Sequence, residues 1–512
     1  MNARLLDRDR DFDPEREPPW NHEELERDLE LSTLIGAMAD GNEHLAAIAG
    51  RVLVLGTDDV RAIRYRQDIL KDCLRRPQAV RELYTIATDA LEAERREYYG
   101  LFLRSPGAIL HGSLKVMGLM LQTLRALRRV AEQYGPDFES EGLRTLAAML
   151  RAELADEYLA QAHEHVQRLE FREGMLVSAE LGLGNKGKNY VLRRHNKPQG
   201  SWMERLLSRG GPSYTFDVDP RDEAGTRALS ELTDRGTNLA ANALAQARDH
   251  VTAFVRALRF EVGFYVAALN LYEALTRCGV PVAFPDPRER SERRLTGRGV
   301  YDACLALRQQ GPVVGNDIEA DQRCLVVITG ANRGGKSTFL RALGLCQLMM
   351  QCGMFVPARE FTANVCDGIF THFKREEDRE MKSGKLDEEL GRMSAIVDRM
   401  GHDSLLLCNE SFASTNEMEG SEIARQVVTA LTEEGVKVLF VTHLYEFAHR
   451  LHQDGRVDAV FLRAERDEEG GRTFKLVEGG PSATSWGADL YERIFASPGA
   501  QEAGGPRSDG AA

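Results

Sequence analysis

The stretch "RCLVVITGANRGGKSTFL", residues 323–340, constrains the fold of this chain more than any other. Gly330, Gly335, Lys336 and Ser337 give it the pattern G-x-x-x-x-G-K-S. The apolar, β-branched run before the loop is typical of a buried strand, and the residues after it are typical of a helix. Glycines let backbone N–H groups turn toward phosphates, and a helix N-terminus adds partial positive charge. The sequence therefore predicts a phosphate-binding loop in an α/β domain with a mostly parallel sheet.

The pattern also predicts what binds to the loop. We expect Lys336 to contact the β- and γ-phosphates of ATP and Ser337 to bind Mg²⁺. The loop residues expected to contact the nucleotide are Gly330, Ala331, Asn332, Arg333, Gly334, Gly335, Lys336, Ser337 and Thr338. The predicted ligands are therefore ATP and Mg²⁺, and the predicted reaction is ATP hydrolysis.

Two more apolar runs end in polar residues that could act on a bound nucleotide. "SLLLCNE" ends in Asn409 and Glu410, and "VKVLFVTH" ends in His443. If these runs are neighbouring strands of a parallel sheet, both ends face the γ-phosphate. We expect Glu410 to activate the attacking water and His443 to sense the γ-phosphate charge. The predicted metal ligands are Ser337, Asn409 and Glu410.

Asn409 occupies a position where phosphate-loop enzymes usually carry an aspartate. Asparagine keeps the size and one acceptor oxygen of aspartate but lacks its charge. The substitution therefore predicts weaker or less well placed Mg²⁺ and slow hydrolysis. In an alternative interpretation, a nearby carboxylate such as Glu417 or Glu419 compensates for the missing charge.

The segment "VVITGANRGGKSTFLRALGLCQLMMQCGMFVPA" resembles the phosphate-loop segment of the MutS family of DNA mismatch-repair ATPases. The segments that follow in the family's order are "GIFTHF", "SGKLDEELGRMSAIV", "SLLLCNESFASTNEMEG" and "LFVTHLYEF". "ERRLTGRGVYDACL" resembles the entry to the ATPase domain, and the helices before it resemble the family's core and lever. The resemblance covers roughly residues 25–460.

The resemblance implies an ABC-like ATPase that works as a homodimer. In this family each phosphate loop is completed by a signature segment of the partner, which corresponds here to Ser383 and Gly384. Thr415 and Asn416 correspond to a loop that crosses the dimer interface. The family's mismatch readers place a mismatch-recognition domain and a connector before the core. About 24 residues precede the first predicted helices here, so mismatch reading by such a domain is not expected.

The amino-terminal half has a helical pattern. Leu143, Leu146, Leu150, Leu154 and Tyr158 recur at spacings of three and four, which predicts one helical stripe facing a core. A second helical run covers about 226–277 and has almost no breaker. The two runs predict antiparallel arms with an insertion at their tip.

The predicted insertion, residues 174–216, contains alternating runs that predict a β-hairpin. Gly182, Gly184 and Gly187 satisfy G-x-G-x-x-G, but the following "KNYVLRR" reads as a strand, so no dinucleotide site is expected. The hairpin is basic in an otherwise acidic chain. The residues predicted to contact DNA phosphates are Lys186, Lys188, Arg193, Arg194 and Lys197. A solvated basic face with no ligand is an equally acceptable interpretation of these charges.

Composition limits the remaining possibilities. The net charge is −13, which argues against binding nucleic acid by bulk attraction, so any DNA contact should be local. The eight cysteines form no CxxC pair and are interpreted as reduced core thiols of a cytoplasmic protein. The predicted organisation is a flexible acidic segment (1–24), a helical core and lever (25–290), the ATPase domain (291–496) and a flexible tail (497–512).

The expected function is ATP-dependent clamping of duplex or branched DNA in repair or recombination. The predicted partners are DNA and a second copy of the chain, with no membrane. The alternative is an ATP-gated clamp for protein partners with little DNA binding or hydrolysis.

Overall fold

The structure is a computed structural model of the chain. It describes residues 1–98, 106–172, 174–185, 187–193, 218–219, 221–375, 384–467 and 471–481. The chain divides into two compact units, Met1–Asp13 with Lys71–Val266, and Pro14–Leu70 with Ala267–Ala512. The predicted boundary near residue 290 is therefore not a boundary of compactness, because residues 14–70 belong to the unit that contains the phosphate loop. The predicted carboxy-terminal tail lies outside the described residues.

Fourteen α-helices occur in the described residues. The first eight precede the hairpin: α1 His22–Asp28, α2 Leu31–Ala39, α3 Glu43–Val54, α4 Val60–Arg75, α5 Pro77–Tyr98, α6 Pro106–Tyr134, α7 Glu141–Glu153 and α8 Asp156–Leu169. The other six follow it: α9 Glu223–Arg277, α10 Ala303–Gln309, α11 Lys336–Gln351, α12 Lys385–Val397, α13 Glu417–Glu433 and α14 Tyr445–Gln453. The chain is mostly helical, as predicted for its amino-terminal half.

The first unit consists of helices and a two-stranded hairpin. Strands β1 (Leu176–Leu181) and β2 (Gly187–Arg193) pair antiparallel, with Leu176 opposite Arg193. A strand rather than a helix follows Gly187, as the sequence predicts. The 55-residue helix α9 contains the predicted long run, and its last residues belong to the second unit.

The predicted leucine stripe is correct for four of its five residues. Leu143, Leu146 and Leu150 are buried on α7, and Leu154 is buried directly after it. Tyr158 is 55% exposed. The prediction is wrong for Tyr158 because α7 ends at Glu153 and α8 begins at Asp156, so the helical phase is not continuous between the two.

The amino-terminal segment is anchored, contrary to the prediction of a flexible 1–24. Leu5 and Leu6 are fully buried. Glu261 of α9 accepts hydrogen bonds from the backbone N–H groups of Leu5 (2.5 Å), Leu6 (3.0 Å) and Phe12 (2.7 Å). Burial raises the pKa of Glu261 to about 7. Composition alone suggested mobility, because it does not reveal hydrogen-bond partners that lie about 250 residues apart in sequence.

The second unit contains two sheets. The larger has the strand order β12-β11-β6-β10-β9-β8, and the smaller has the order β3-β7-β4-β5. The larger-sheet strands are β6 Leu325–Thr329, β8 Ile369–Phe373, β9 Leu405–Asn409, β10 Lys437–Val441, β11 Ala459–Arg466 and β12 Arg472–Glu478. The smaller-sheet strands are β3 Asp286–Arg288, β4 Leu295–Val300, β5 Asn316–Glu319 and β7 Glu360–Asn364. Among the described strands of the larger sheet, β12 pairs antiparallel with its neighbour and the other pairings are parallel.

The two central strands of this larger sheet are fully buried. Every residue of β6 and β10 is buried, which is typical of parallel strands covered on both faces. Helix α11 follows the phosphate loop and buries 13 of its 16 residues, so it is an internal helix rather than a surface one. A buried strand and a buried helix therefore fix both ends of the loop between them.

Two further findings concern the apolar character of the described helices and the cysteines. None of the helices described has the length and apolar character that a membrane span requires. All eight cysteines are buried and free, as the sequence predicts for core thiols.

Candidate nucleotide site

The loop between β6 and α11 has a backbone that only glycine tolerates easily. Gly330 and Gly335 have φ values of 113° and 90°, in the left-handed region where a side chain is strained. The loop also packs closely on Ala464 of β11, where a Cβ on Gly330 or Gly334 would lie within 2.9 Å or 2.8 Å of the Ala464 Cβ. The glycines therefore serve both loop curvature and packing on the next strand.

Lys336 is the first residue of α11 and is almost completely buried. Its Nζ donates to the carbonyl oxygens of Gly330 and Ala331, each at 3.0 Å. Burial lowers the pKa of Lys336 to about 8, although the nearby Glu410 carboxylate opposes this shift. The ammonium is thus held across the mouth of the loop by two neutral acceptors, and phosphate oxygens could replace them.

Ser337 and Asn409 meet at the end of the sheet. The Ser337 hydroxyl donates to Asn409 Oδ1 at 2.8 Å. Two of the three side chains expected to hold Mg²⁺ are therefore adjacent, although they are 72 residues apart in sequence. A hydroxyl and an amide oxygen are suitable ligands for a hard cation that takes its remaining ligands from phosphates and water. The residues present fit a Mg²⁺–nucleotide complex, with one negative charge fewer than an aspartate would supply.

Glu410 and His443 also lie together, because β9 and β10 are parallel neighbours as predicted. Glu410 Oε1 is 2.9 Å from His443 Nε2, and both side chains are partly exposed. The adjacent His443 imidazole lowers the pKa of Glu410, with smaller contributions from Lys336 and Lys374 against partial desolvation. Glu410 is therefore an anion at neutral pH, which a proton acceptor requires.

The turn that carries Glu410 is strained. Glu410 and Phe412 have φ values of 57° and 61°, and neither is glycine. Such conformations cost roughly 1 kcal/mol or more each and persist only where the surroundings hold them. The Glu410 N–H donates to Val441 O at 2.9 Å, while Phe412 is fully buried. The position of the Glu410 carboxylate thus depends on its support from neighbouring segments.

A cavity of about 400 Å³ opens beside the loop. Arg333, Gly335 and Thr338 form its loop side, and Tyr301 and Phe474 contribute aromatic surface. Sequence reasoning missed this wall. Phe474 belongs to β12, and the side chain of Asn316 holds that strand by donating to Phe474 O at 3.1 Å and accepting from the Leu476 N–H at 2.8 Å.

The remaining predicted contacts are those of the signature segment and of the loop expected to cross the dimer interface. Gly384 precedes α12, and a Cβ there would meet nothing within 4 Å among the described residues. Ser383 lies outside the described residues. The side chain of Asn416 caps α13 by accepting from the Glu419 N–H at 3.0 Å, and Thr415 donates to the Glu419 carboxylate.

The carboxylates considered as compensation for Asn409 have other partners. Glu417 accepts from the Tyr445 N–H at 3.0 Å. Glu419 accepts from the side chains of Thr415 and Asn416 at the start of α13. The hydrogen bonds of both carboxylates therefore serve the two helix starts rather than Ser337 or Asn409, and compensation by them stays a hypothesis.

Two of the basic side chains in the hairpin already have partners within the hairpin. Lys188 Nζ lies 3.6 Å from the Glu180 carboxylate, and Arg193 Nε donates to Ser178 Oγ at 2.8 Å. Glu180 precedes the residues predicted to contact DNA, and the pairing of β1 with β2 places it opposite Lys188. Lys186, Arg194 and Lys197 are outside the described residues. The leucines Leu181 and Leu183 are strongly exposed, at 75% and 99%.

The site places the chain in the class of proteins with a phosphate-loop motif. Its glycine loop follows a buried parallel strand, its lysine is buried, and Ser337 contacts Asn409 at the end of β9, two strands away from β6 in the sheet. Comparison with known proteins narrows this class. Residues 58–278 match the model of the MutS2 N-terminal domain, and residues 326–498 match the model of MutS domain V. Together these matches identify the chain as a member of the MutS family.

Individual proteins similar to the chain carry the same family name. The chain is 32% identical over 235 residues to the DNA mismatch repair protein MutS of Chloroflexus aurantiacus, 32% over 248 residues to that of Thermus thermophilus and 31% over 255 residues to that of Thermus aquaticus. These matches cover 44–48% of the present chain. They cover 24% of the Chloroflexus protein and 29% of each Thermus protein, so the chain spans less than a third of the length of these relatives.

Proposed function

We propose that the chain binds ATP with Mg²⁺ at residues 330–338, hydrolyses it slowly in a dimer sandwich, and uses this cycle to clamp duplex or branched DNA in repair or recombination. The observation that carries the proposal is the meeting of Ser337 with Asn409 at 2.8 Å beside the buried ammonium of Lys336. Membership of the MutS family, whose curated members matched here are named DNA mismatch repair proteins, supports the DNA part.

In the proposed bound state, the phosphates replace the carbonyl partners of Lys336 and accept from the N–H groups of the glycine loop. Ser337 and Asn409 would hold Mg²⁺, which supplies charge neutralisation to the phosphates. The adjoining cavity of about 400 Å³ is large enough for a nucleoside base, with Phe474 and Tyr301 as aromatic walls. ATP would thus lie with its base against β12 and its phosphates at the start of α11.

For hydrolysis, Glu410 would accept a proton from the water that attacks the γ-phosphorus. Its anionic state at neutral pH fits this role, and His443 would keep it oriented from 2.9 Å away. The attack forms a bond between the water oxygen and phosphorus and breaks the bond between phosphorus and the β,γ-bridging oxygen, so ADP leaves with the bond's electron pair. The charge missing at Asn409 would slow this step.

The sandwich assigns Ser383 and Gly384 to the loop of the partner copy. A Lys336→Ala chain mixed with a Ser383→Ala chain should therefore regain one complete site per dimer, whereas each variant alone is inactive. Recovery should follow the fraction of mixed dimers as the ratio is varied. An inactive mixture at every ratio would contradict the sandwich and leave ATP binding by single chains open.

One observation favours a second candidate, the ATP-gated clamp for a protein partner. In the hairpin, Lys188 and Arg193 already have partners in Glu180 and Ser178, while Leu181 and Leu183 are exposed. Exposed leucines suit a protein surface better than a phosphate backbone. This candidate keeps the nucleotide site and changes only what the arms hold.

Binding of labelled duplex, mismatched and branched DNA to the purified dimer, with and without ATP, tests the proposal. The expected result is ATP-dependent binding that weakens steeply as salt rises, because phosphate contacts release counterions. A Lys336→Ala dimer is the matched control, since it should bind DNA without responding to ATP. ATP turnover with no DNA binding on any substrate at low salt would favour the protein clamp.

A further inference from the structure

Four polar side chains form a cluster behind the turn that carries Glu410. They are His372 of β8, Glu389 of α12, and Ser411 and Ser414, which follow Glu410. We call these residues the turn-support cluster. His372 and Ser411 are fully buried and Glu389 is 5% exposed. Polar groups buried this deeply need specific partners, so their contacts define one arrangement of the turn.

The contacts of His372 determine where its proton lies. His372 Nε2 is 3.1 Å from Glu389 O, and Nδ1 is 2.7 Å from Ser411 Oγ. Burial lowers the pKa of His372 to about 4, so the ring is neutral and carries one N–H. A carbonyl oxygen can only accept, so the proton is on Nε2 and donates to Glu389 O. The Ser411 hydroxyl donates to His372 O at 2.8 Å, and the unprotonated Nδ1, 2.7 Å from the same Oγ, is the second acceptor that faces its one proton.

This ring also supports the residue that follows Ser411. His372 and Phe412 stack with 5.6 Å between ring centroids and 28° between their planes. Ser411 thus lies between Glu410 and Phe412, the two residues in the left-handed conformation, and it is held by the same imidazole that packs on Phe412. The strained turn is secured at its centre and on one side by a single residue of β8.

Helix α12 holds the same turn at a second point. Glu389 Oε1 accepts from Ser414 Oγ at 2.8 Å, while the carbonyl of Glu389 accepts from His372. Glu389 therefore contacts the segment after Glu410 directly through Ser414 and indirectly through His372 and Ser411. A displacement of α12 would reach the Glu410 turn through both routes.

We propose that His372 is a positioning residue for Glu410, and that through Glu389 it makes the position of the Glu410 carboxylate depend on the seating of α12. The inference rests on the proposed ATPase function, because it assigns Glu410 to the attacking water. His372 touches neither phosphate nor water in this scheme. It acts on the rate of hydrolysis by holding a strained backbone, and nucleotide binding by Lys336 and the glycine loop does not require it.

Three substitutions of His372 separate its contact with Ser411 from its contact with Glu389 O. His372→Phe keeps an aromatic ring against Phe412 and removes both polar contacts. His372→Asn offers an amide oxygen near the place of Nδ1 and can still accept from Ser411. His372→Gln reaches the place of Nε2 and can still donate to Glu389 O. His402→Phe, at a side chain that is 80% exposed, is the matched control.

Single-turnover ATP hydrolysis, equilibrium binding of a fluorescent ATP analogue and thermal unfolding are measured for each dimer. His372→Phe should slow hydrolysis about 10- to 100-fold, the scale of a base misplaced by about 1 Å, with nucleotide affinity within about twofold of the parent. His372→Asn should recover most of the rate because it keeps the link to Ser411, and His372→Gln should recover less. Ser411→Ala is the milder second variant and should reproduce the slow step with a smaller loss of stability.

The outcomes distinguish this inference from the proposed function. A parent dimer without any turnover would overturn both. A parent that turns over while folded His372→Phe and Ser411→Ala match its rate would overturn the positioning role alone. A parallel loss of affinity and rate in both variants, without recovery in His372→Asn, would mean that the cluster only supports folding, and would overturn it as well.

Discussion

The phosphate loop and the basic hairpin are the two places where the sequence predicts contacts with phosphate, and they are built differently. Lys336 is buried, and the hydrogen bonds of its ammonium within the described part of the chain go to two neutral carbonyl oxygens. Lys188 is exposed and lies 3.6 Å from the Glu180 carboxylate. A positive charge held by neutral partners remains available to an anion, whereas one paired with a carboxylate gains less from exchanging it.

The comparison also concerns the backbone. In the phosphate loop, Gly330 and Gly335 adopt left-handed conformations between a buried strand and a buried helix, so packing fixes both ends of the loop. In the hairpin, β1 and β2 expose most of their side chains. We therefore expect loop variants to abolish defined steps, and hairpin variants to change affinity gradually.

The largest effect is expected for Glu410, the proposed proton acceptor. Glu410→Gln keeps the size and one acceptor oxygen but cannot take a proton, so single-turnover hydrolysis should fall by roughly 10²- to 10⁴-fold. ATP affinity should stay near the parent value because the proposed contacts with the phosphates come from Lys336 and the glycine loop, not from Glu410. Rapid-quench hydrolysis and equilibrium binding on the same preparation check both parts, and a Glu419→Gln dimer is the control. A rate near that of the parent would assign the base elsewhere.

The second-largest effect is expected on the affinity for ATP. Lys336→Met removes a buried charge that should contact two phosphates, and losses of about 2–5 kcal/mol are usual for such pairs, which is about 30-fold or more in affinity. Lys437→Met is a matched control, because Lys437 is also buried, bonds Arg294 O and Asn364 Oδ1, and has its pKa lowered to about 8 by burial. Calorimetric ATP titration should show weak binding only in the first variant. Equal losses in both would indicate a general effect of removing a buried lysine.

These two residues illustrate how much of the site the sequence contains. The loop pattern is local, so Lys336 and Ser337 are identified within eight residues. Glu410 and His443 were correctly placed on adjacent strand ends because parallel strands bring their carboxyl ends to one edge. These predictions needed only short motifs and the geometry of a parallel sheet.

The missed features depend on long-range contacts between residues with no local pattern. His372 supports the Glu410 turn through Ser411, which lies 39 residues away. Leu5 is buried, and the carboxylate that accepts its N–H lies 256 residues away. Tyr158 was misassigned because the break between α7 and α8 has no glycine or proline to mark it. Tertiary contacts decided these positions, and periodicity alone does not contain them.

The third effect concerns Asn409, whose oxygen accepts from Ser337. Asn409→Asp adds the missing charge beside the expected Mg²⁺ position and should lower the Mg²⁺ requirement or raise turnover by roughly 10- to 100-fold. Single-turnover hydrolysis across a Mg²⁺ titration measures both. In the Glu410→Gln background the same change should not restore turnover. Equal rates and equal Mg²⁺ midpoints for Asn409→Asp and the parent would mean that the charge is compensated within the folded dimer.

A fourth effect concerns pH. The pKa of Lys336 is lowered to about 8, so the free loop loses its ammonium as pH rises through that value. Phosphate favours the charged form, and ATP affinity should therefore be constant below about pH 8 and fall by up to roughly tenfold per pH unit above it. Binding measured from pH 6.5 to 9.5 at constant ionic strength tests this. An affinity that stays constant throughout would mean that the lysine remains charged in the free protein.

The smallest effect is expected in the hairpin, and it decides whether the hairpin binds DNA. Alanine at Lys186, Lys188, Arg193 and Arg194 removes up to four cations that could bind phosphate, and the slope of log affinity against log salt should shrink by roughly 0.9 for each phosphate that is no longer neutralised. The ion pair with Glu180 makes Lys188 a weak contributor, so a Glu180→Gln variant should bind DNA slightly more tightly than the parent. Lys115→Ala, in a helix of the same unit, is the control for a general loss of charge. If the quadruple variant and Glu180→Gln both keep the parent slope and affinity while ATP binding is intact, the basic face is only solvated, and the exposed leucines Leu181 and Leu183 become the residues to test against protein partners.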